Sequence, residues 1–128
     1  MNTREFMHET LTERIIGCCF TVYNKLGFGY LESVYEKSLM IELRKADIYA
    51  ETQKAIKVKY DDVIVGDFIA DIIAEHEIVL ELKSIRQLSK IHEMQLVNYL
   101  VSTGMDIGLL INFGEERVEV KRKQRILT

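Results

Sequence analysis

The sequence contains no proline and no tryptophan, and only two cysteines and seven glycines in 128 residues. With no proline and scattered glycine there is no Pro-rich or Gly/Ser-rich linker, so residues 1–128 read as one domain. The two cysteines, Cys18 and Cys19, are neighbours. Adjacent cysteines rarely pair, and no second cluster is available to complete a zinc site. No apolar run approaches the roughly 18 residues of a membrane span. The opening residues, Met1 to Glu5, lack the basic and apolar regions of a secretory signal. Together these absences predict a reduced, cytoplasmic protein without membrane contact. There is no internal repeat at solenoid periods, no P-loop, no dinucleotide fingerprint and no Gly-x-Ser-x-Gly elbow. Seventeen Lys and Arg against 20 Asp and Glu leave a net charge of -3, which excludes a bulk polycation that coats nucleic acid by charge alone.

What is present is an ordinary globular balance, with 48% hydrophobic and 29% charged residues and enough chain to bury a core. Phe6, Leu11, Ile15, Cys19, Val22, Tyr23 and Leu26 recur at helical steps, which predicts a helix over about residues 3–26 that Gly27-Phe28-Gly29 ends. Leu31, Val34, Tyr35, Leu39, Leu43 and Ala46 predict a second helix from near Tyr30 to about Ala46. The period then drops to two. Ile56, Val58 and Tyr60 mark a strand, Asp61-Asp62 a turn, and residues 63–74 a second strand. On that strand Asp67, Ile69, Asp71 and Ile73 are expected on one face, with Phe68, Ala70 and Ile72 on the other. After Glu75-His76-Glu77, residues 78–84 form a third strand, with Leu80 and Leu82 opposite Val79, Glu81 and Lys83. A third helix is expected over residues 90–103, closed by Gly104. Residues 107–113 read as a strand buried on both faces, and residues 117–121 as a short final one. The order α-α-β-β-β-α-β-β predicts an α/β (α+β) fold, with helices packed on a mixed sheet.

The informative stretch is Asp71 to Lys83. A three-residue loop at 75–77 sets Ala74 against Ile78, and counting back sets Asp71 directly opposite Glu81, with Cβ atoms roughly 5 Å apart. Like charges so placed repel, and a bound cation or a shared proton would relieve them. Period two brings Lys83 to the same cluster. Two carboxylates and an ammonium on a rigid sheet face can hold an oxygen-liganded Mg²⁺ and orient a water for attack on a phosphodiester. A structural ion-pair cluster would use the same three side chains. Glu-x-Lys recurs at Glu119-Val120-Lys121, where a turn at 114–116 places Glu119 opposite Ile111, with no acidic partner.

Glu32, Tyr35 and Glu36 share one side of the second helix, with Glu32 in its first turn, where the helix dipole favours an anion. Glu32 either stabilises that dipole beside a core tyrosine or reaches the sheet face. On the third helix His92, Gln95 and Tyr99 form a polar stripe beside an apolar one of Met94, Val97 and Val101. Gln95 there could orient a water or a phosphate oxygen, whereas His92 reads as a surface or supporting histidine. Asp67 is read as facing solvent. Lys54, Lys57 and Lys59, and Lys121, Arg122, Lys123 and Arg125, form basic runs that permit contact with a phosphate backbone.

Gly29-Tyr30-Leu31-Glu32-Ser33-Val34-Tyr35 resembles the signature of the GxxExxY proteins. Asp71, Glu81-Leu82-Lys83, Gln95, Tyr99 and Gly108-Leu109-Leu110-Ile111-Asn112-Phe113-Gly114 follow in that family's order, the one departure being Ala70 where a proline often precedes the aspartate. The family is placed in the PD-(D/E)XK nuclease superfamily. The resemblance implies a restriction-endonuclease-like αβββαβ core with an extra N-terminal helix. It further implies Asp71, Glu81 and the Leu82 carbonyl as ligands of Mg²⁺ or Mn²⁺, Lys83 as the catalytic lysine, Glu32 as the helix acid and Gln95 as the polar residue of the following helix. The expected function is metal-dependent hydrolysis of DNA or RNA. The alternative is a nuclease-fold module that binds nucleic acid or a protein partner with little or no chemistry, and the third possibility is a purely structural protein. A domain this small leaves room for a homodimer on duplex DNA.

Overall fold

The computed structural model describes residues 3–125, with side chains from His8 onward. Helix α1 spans Thr3–Leu26 and α2 spans Glu32–Lys45. Strands β1 (Ala50–Tyr60), β2 (Val63–Ala74) and β3 (Ile78–Lys83) follow, then α3 (Lys90–Thr103), β4 (Ile107–Phe113) and β5 (Val118–Gln124). The five strands lie in the order β1-β2-β3-β4-β5. Every neighbouring pair is antiparallel except β3 and β4, which α3 joins as a parallel crossover. The mixed sheet and flanking helices are those expected.

Two apolar clusters divide the molecule into layers. Ile15, Cys19 and Val22 of α1 and Tyr35, Leu39 and Leu43 of α2 pack with Ile72, Leu80, Leu82, Ile111 and Phe113 on one face of the sheet. Leu96 and Leu100 of α3 pack with Phe68, Ala70, Ile73, Val79 and Leu110 on the other. β4 is buried at all seven positions because it is covered from both sides. Cys18 and Cys19 are free, buried thiols. The expected stripe of α1 is borne out from Leu11 onward; the side chain of Phe6 lies outside the described residues.

α2 begins at Glu32, so Leu31 is not part of its apolar stripe and stands 76% exposed as the residue preceding the helix. β1 begins at Ala50, well before Ile56, because an exposed edge strand needs no apolar alternation to pair. β5 runs to Gln124. The turn before it holds four residues, with Gly114 N–H donating to the Arg117 carbonyl at 3.0 Å, so Glu119 faces Asn112 and not Ile111. Lys121 faces Leu110, so this second Glu-x-Lys still has no acidic partner across the sheet.

β2 does not alternate along its whole length. Ile73 joins Phe68 and Ala70 under α3, while Ile72 and Ala74 face α1 and α2. The two faces therefore exchange between Ala70 and Ile72. On β1, Gln53 turns through φ +51° at the matching point. Thr52 pairs with Ile72 and Lys54 with Ala70, and the pair between them, Gln53 and Asp71, is missing from the register. Asp71 thus occupies the place where the strand turns over.

Candidate active site

β2 and β3 hold a regular ladder for three pairs only: Ala74 with Ile78, Ile73 with Val79 and Ile72 with Leu80. The next pair by count is Asp71 with Glu81, as the loop length predicts. There the strands stop exchanging backbone hydrogen bonds and side chains take over. Asp71 donates its backbone N–H to Glu81 Oε1 at 3.3 Å. Leu82 donates its backbone N–H to Asp71 Oδ2 at 2.8 Å. An extended residue directs its N–H and C=O to the same strand edge. The Leu82 carbonyl therefore faces the gap in which the Asp71 carboxylate sits.

β3 alternates without interruption. Leu80 and Leu82 enter the α1/α2 cluster and Val79 the α3 cluster, which puts Glu81 and Lys83 together on the α3 side. Both are half-buried. Burial, and next the neighbouring Asp71 carboxylate, push the Glu81 carboxyl up to about 7 from its usual 4.5. The Asp71 N–H and the Lys83 ammonium pull the other way, and Glu32 adds a smaller upward push. One ammonium does not neutralise this acidic pair. The donors fit a hard divalent cation that keeps water in its remaining positions: two carboxylates at one strand gap, with a carbonyl facing it. Among the described residues no three His, Cys, Asp or Glu side chains are close enough to form a metal site by themselves.

Beyond β3 the backbone is pinned. Asn112, fully buried, pairs with Lys83 in the parallel register. Its Oδ1 accepts the Ile85 N–H at 2.9 Å and its Nδ2 donates to the Ile85 carbonyl at 2.8 Å. Asn112 stands within the segment that carries the resemblance, but its pinning role is not visible there, since backbone partners leave no pattern in a sequence.

The helices contribute unevenly. Glu32 is exposed in the first turn of α2 and close enough to act on the charge of Glu81. Tyr35 is fully buried, as its place in the apolar stripe predicts, while Glu36 Oε1 accepts from Gln53 Nε2 at 3.1 Å. Gln95 is exposed on α3. One turn further on, Tyr99 stacks on Phe68 at 3.9 Å. The packed stripe of α3 is Leu96 and Leu100, whereas Met94 and Val101 are 62% and 51% exposed, so the expected apolar stripe points outward. His92 caps α3, its Nδ1 accepting the Ser89 N–H at 3.1 Å.

Asp67 is an exposed partner of Lys57 at 2.9 Å, away from the acidic pair. The basic runs are partly spent on acids as well. Lys54 meets Glu51 at 2.8 Å, Lys123 meets Glu93 at 2.5 Å and Arg125 meets Asp106 at 2.8 Å. Among the described residues, no helix is long and apolar enough to cross a membrane.

An aspartate on one strand, Glu-x-Lys on the next and a helix crossing to a parallel strand define a nuclease-type sheet. The family model of the PD-(D/E)XK nuclease superfamily matches residues 9–123, and the chain belongs to that superfamily. The crystal structure of SSO0001 shares the fold at a TM-score of 0.56 and 22% identity, over 76% of this chain and 52% of that one. The chain thus spans about half the length of that structure. No curated protein matches it.

Proposed function

We propose that this protein hydrolyses phosphodiester bonds of DNA or RNA with Mg²⁺ or Mn²⁺ held by Asp71, Glu81 and the Leu82 carbonyl. The observation that carries this reading is the meeting of Asp71 and Glu81 where the β2–β3 ladder ends, with Lys83 on the same face as Glu81. The bound ion would supply charge to polarise the phosphate and lower the pKa of a water. Lys83 positions the attacking water, and Asn112 holds the strand end that carries Lys83. Glu32 approaches from α2 as a further acid, and Gln95 offers an amide to a phosphate oxygen from α3. The free, buried thiols of Cys18 and Cys19 support a reducing, cytoplasmic setting.

A second reading is a nuclease fold kept for recognition, with slow chemistry. It draws on the lack of a third close metal-ligating side chain among the described residues. Cleavage assays with Mg²⁺ and Mn²⁺ on single-stranded and duplex DNA and RNA separate the two. The first reading expects cleavage that disappears in Glu81→Ala and Lys83→Ala. Nucleic-acid affinity without cleavage, unchanged by Glu81→Ala and by chelator, establishes the second. Failure to cleave any substrate, with no Mg²⁺ or Mn²⁺ binding by calorimetry, refutes the first.

A further inference from the structure

The Gly29–Tyr35 segment does more than supply Glu32. Its other parts converge on one hydroxyl. Tyr35 is fully buried three residues after Glu32, its ring parallel to that of Phe113 with centroids 4.3 Å apart. That stack leaves the phenol little freedom to turn. The hydroxyl donates to the Gly27 carbonyl and accepts the Tyr30 N–H at 3.4 Å. These two backbone groups bracket the loop between α1 and α2. The loop passes through φ +73° at Gly27 and +112° at Gly29, a path open to glycine at little cost.

The same loop is held from the sheet. Ser84 Oγ donates to the Tyr30 carbonyl at 3.0 Å, and Ser84 directly follows Lys83. Tyr30 is therefore tied at both backbone groups, one to α2 and one to the end of β3. Glu32 lies two residues beyond that double tie. Leu31, which precedes the helix, makes no side-chain cap. The entry to α2 thus depends on hydrogen bonds made at Tyr30 more than on a cap of its own.

We infer that Tyr35 and Ser84 are positioning residues: their hydroxyls latch the Gly27–Leu31 loop between α2 and the end of β3 and so hold Glu32 toward the Asp71–Glu81–Lys83 site. The inference rests on the proposed metal-dependent reading for its purpose, but the latch can be tested without metal.

Tyr35→Phe keeps the ring and its stack and removes only the hydroxyl. Ser84→Ala removes the other half of the latch without touching the core, and serves if Tyr35→Phe folds poorly. In metal-free crystal structures of these variants, Glu32 is expected to shift relative to Glu81, with Asp71 and Glu81 unmoved. By calorimetry with Mn²⁺, Tyr35→Phe and Glu32→Gln are each expected to weaken binding by roughly 3- to 10-fold, the range of one hydrogen bond. The double variant is expected to bind no more weakly than Glu32→Gln alone, because both act through the same carboxylate. A merely structural tyrosine gives additive losses instead, and additivity overturns the inference. So does an unmoved Glu32 in both Tyr35→Phe and Ser84→Ala. If the wild-type protein takes up no Mn²⁺, the metal-dependent reading fails, while the position of Glu32 in the variant structures still decides the latch.

Discussion

Asp71 donates its backbone N–H to the carboxylate of Glu81, its counterpart across the strands, at 3.3 Å. Asp71 in turn accepts the N–H of Leu82 at 2.8 Å. Two acids that repel each other thus replace the backbone ladder where it ends. The arrangement leaves Glu81 half-buried, beside a like charge and short of a compensating cation.

Its consequence is a pH dependence of unexpected sign. The carboxyl of Glu81 titrates at about 7 in the folded chain, against 4.5 as its usual value. Between those values the folded state holds the proton that the unfolded state has lost, so stability falls as pH rises. The contribution is complete below about 4.5 and gone above about 7, with an upper bound of about 3 kcal/mol before solvent screening is discounted. Urea denaturation in EDTA at pH 5 and pH 8 should show the wild type less stable at pH 8. Glu81→Gln should remove most of that difference, and a wild type equally stable at both values contradicts the burial argument.

Much of this site could be read from residue spacing. The three residues between Ala74 and Ile78 are enough to set Asp71 opposite Glu81, and strict alternation along 78–83 puts Lys83 beside Glu81. What alternation could not reveal is where it breaks. The reversal at Gln53 and Asp71 is a backbone event, and its result, Ile72 and Ile73 each on the face expected of the other, looks the same in sequence as an unbroken strand. α3 failed for another reason. Leu96 and Leu100 compete with Met94, Val97 and Val101 as candidate stripes, and only the position of the sheet decides between them. The tasks of Tyr35, Ser84 and Asn112 were not legible because each side chain binds backbone, which any residue provides.

Asn112 tests how far the end of β3 depends on such a bond. The side chain is fully buried and satisfies both the N–H and the C=O of Ile85. Asn112→Leu leaves both groups without partners, at a cost of about 2–4 kcal/mol. A urea midpoint lowered accordingly is the expected outcome. Faster amide exchange at Ile85 should accompany it, and an unchanged midpoint would mean that water replaces the amide freely.

Gly108 tests the fit of α3 against the sheet. A Cβ at Gly108 would lie 2.9 Å from Leu96 Cδ1, 3.1 Å from Cδ2 and 3.2 Å from Cγ. Leu96 is only 1% exposed, so any shift of its side chain must displace packed neighbours. Gly108→Ala should therefore cost about 1–3 kcal/mol by overpacking, read as a lowered melting temperature. Shortening the opposing side chain relieves the same clash, so Gly108→Ala with Leu96→Val should lose less than the sum of the single changes.

The tip of the β1–β2 hairpin should behave in the opposite way. Asp61 and Asp62 both adopt positive φ, 49° and 64°, between the paired Tyr60 and Val63. Two such residues in a two-residue turn are the type I′ pattern, which Asn-Gly satisfies with the least strain. As they stand, two adjacent carboxylates also repel. Asp61→Asn with Asp62→Gly relieves both costs, against the greater freedom that glycine gives the unfolded chain. Since left-handed backbone costs a non-glycine residue roughly 1–2 kcal/mol, a net gain of about 0.5–1 kcal/mol is expected, seen as a raised melting temperature. Eight residues of β2, Val63 to Ala70, separate this tip from Asp71, roughly 30 Å of extended strand. The gain should therefore leave Mn²⁺ affinity and any cleavage rate unchanged, and a shift in either would mean that the hairpin tip communicates with the acidic pair along β2.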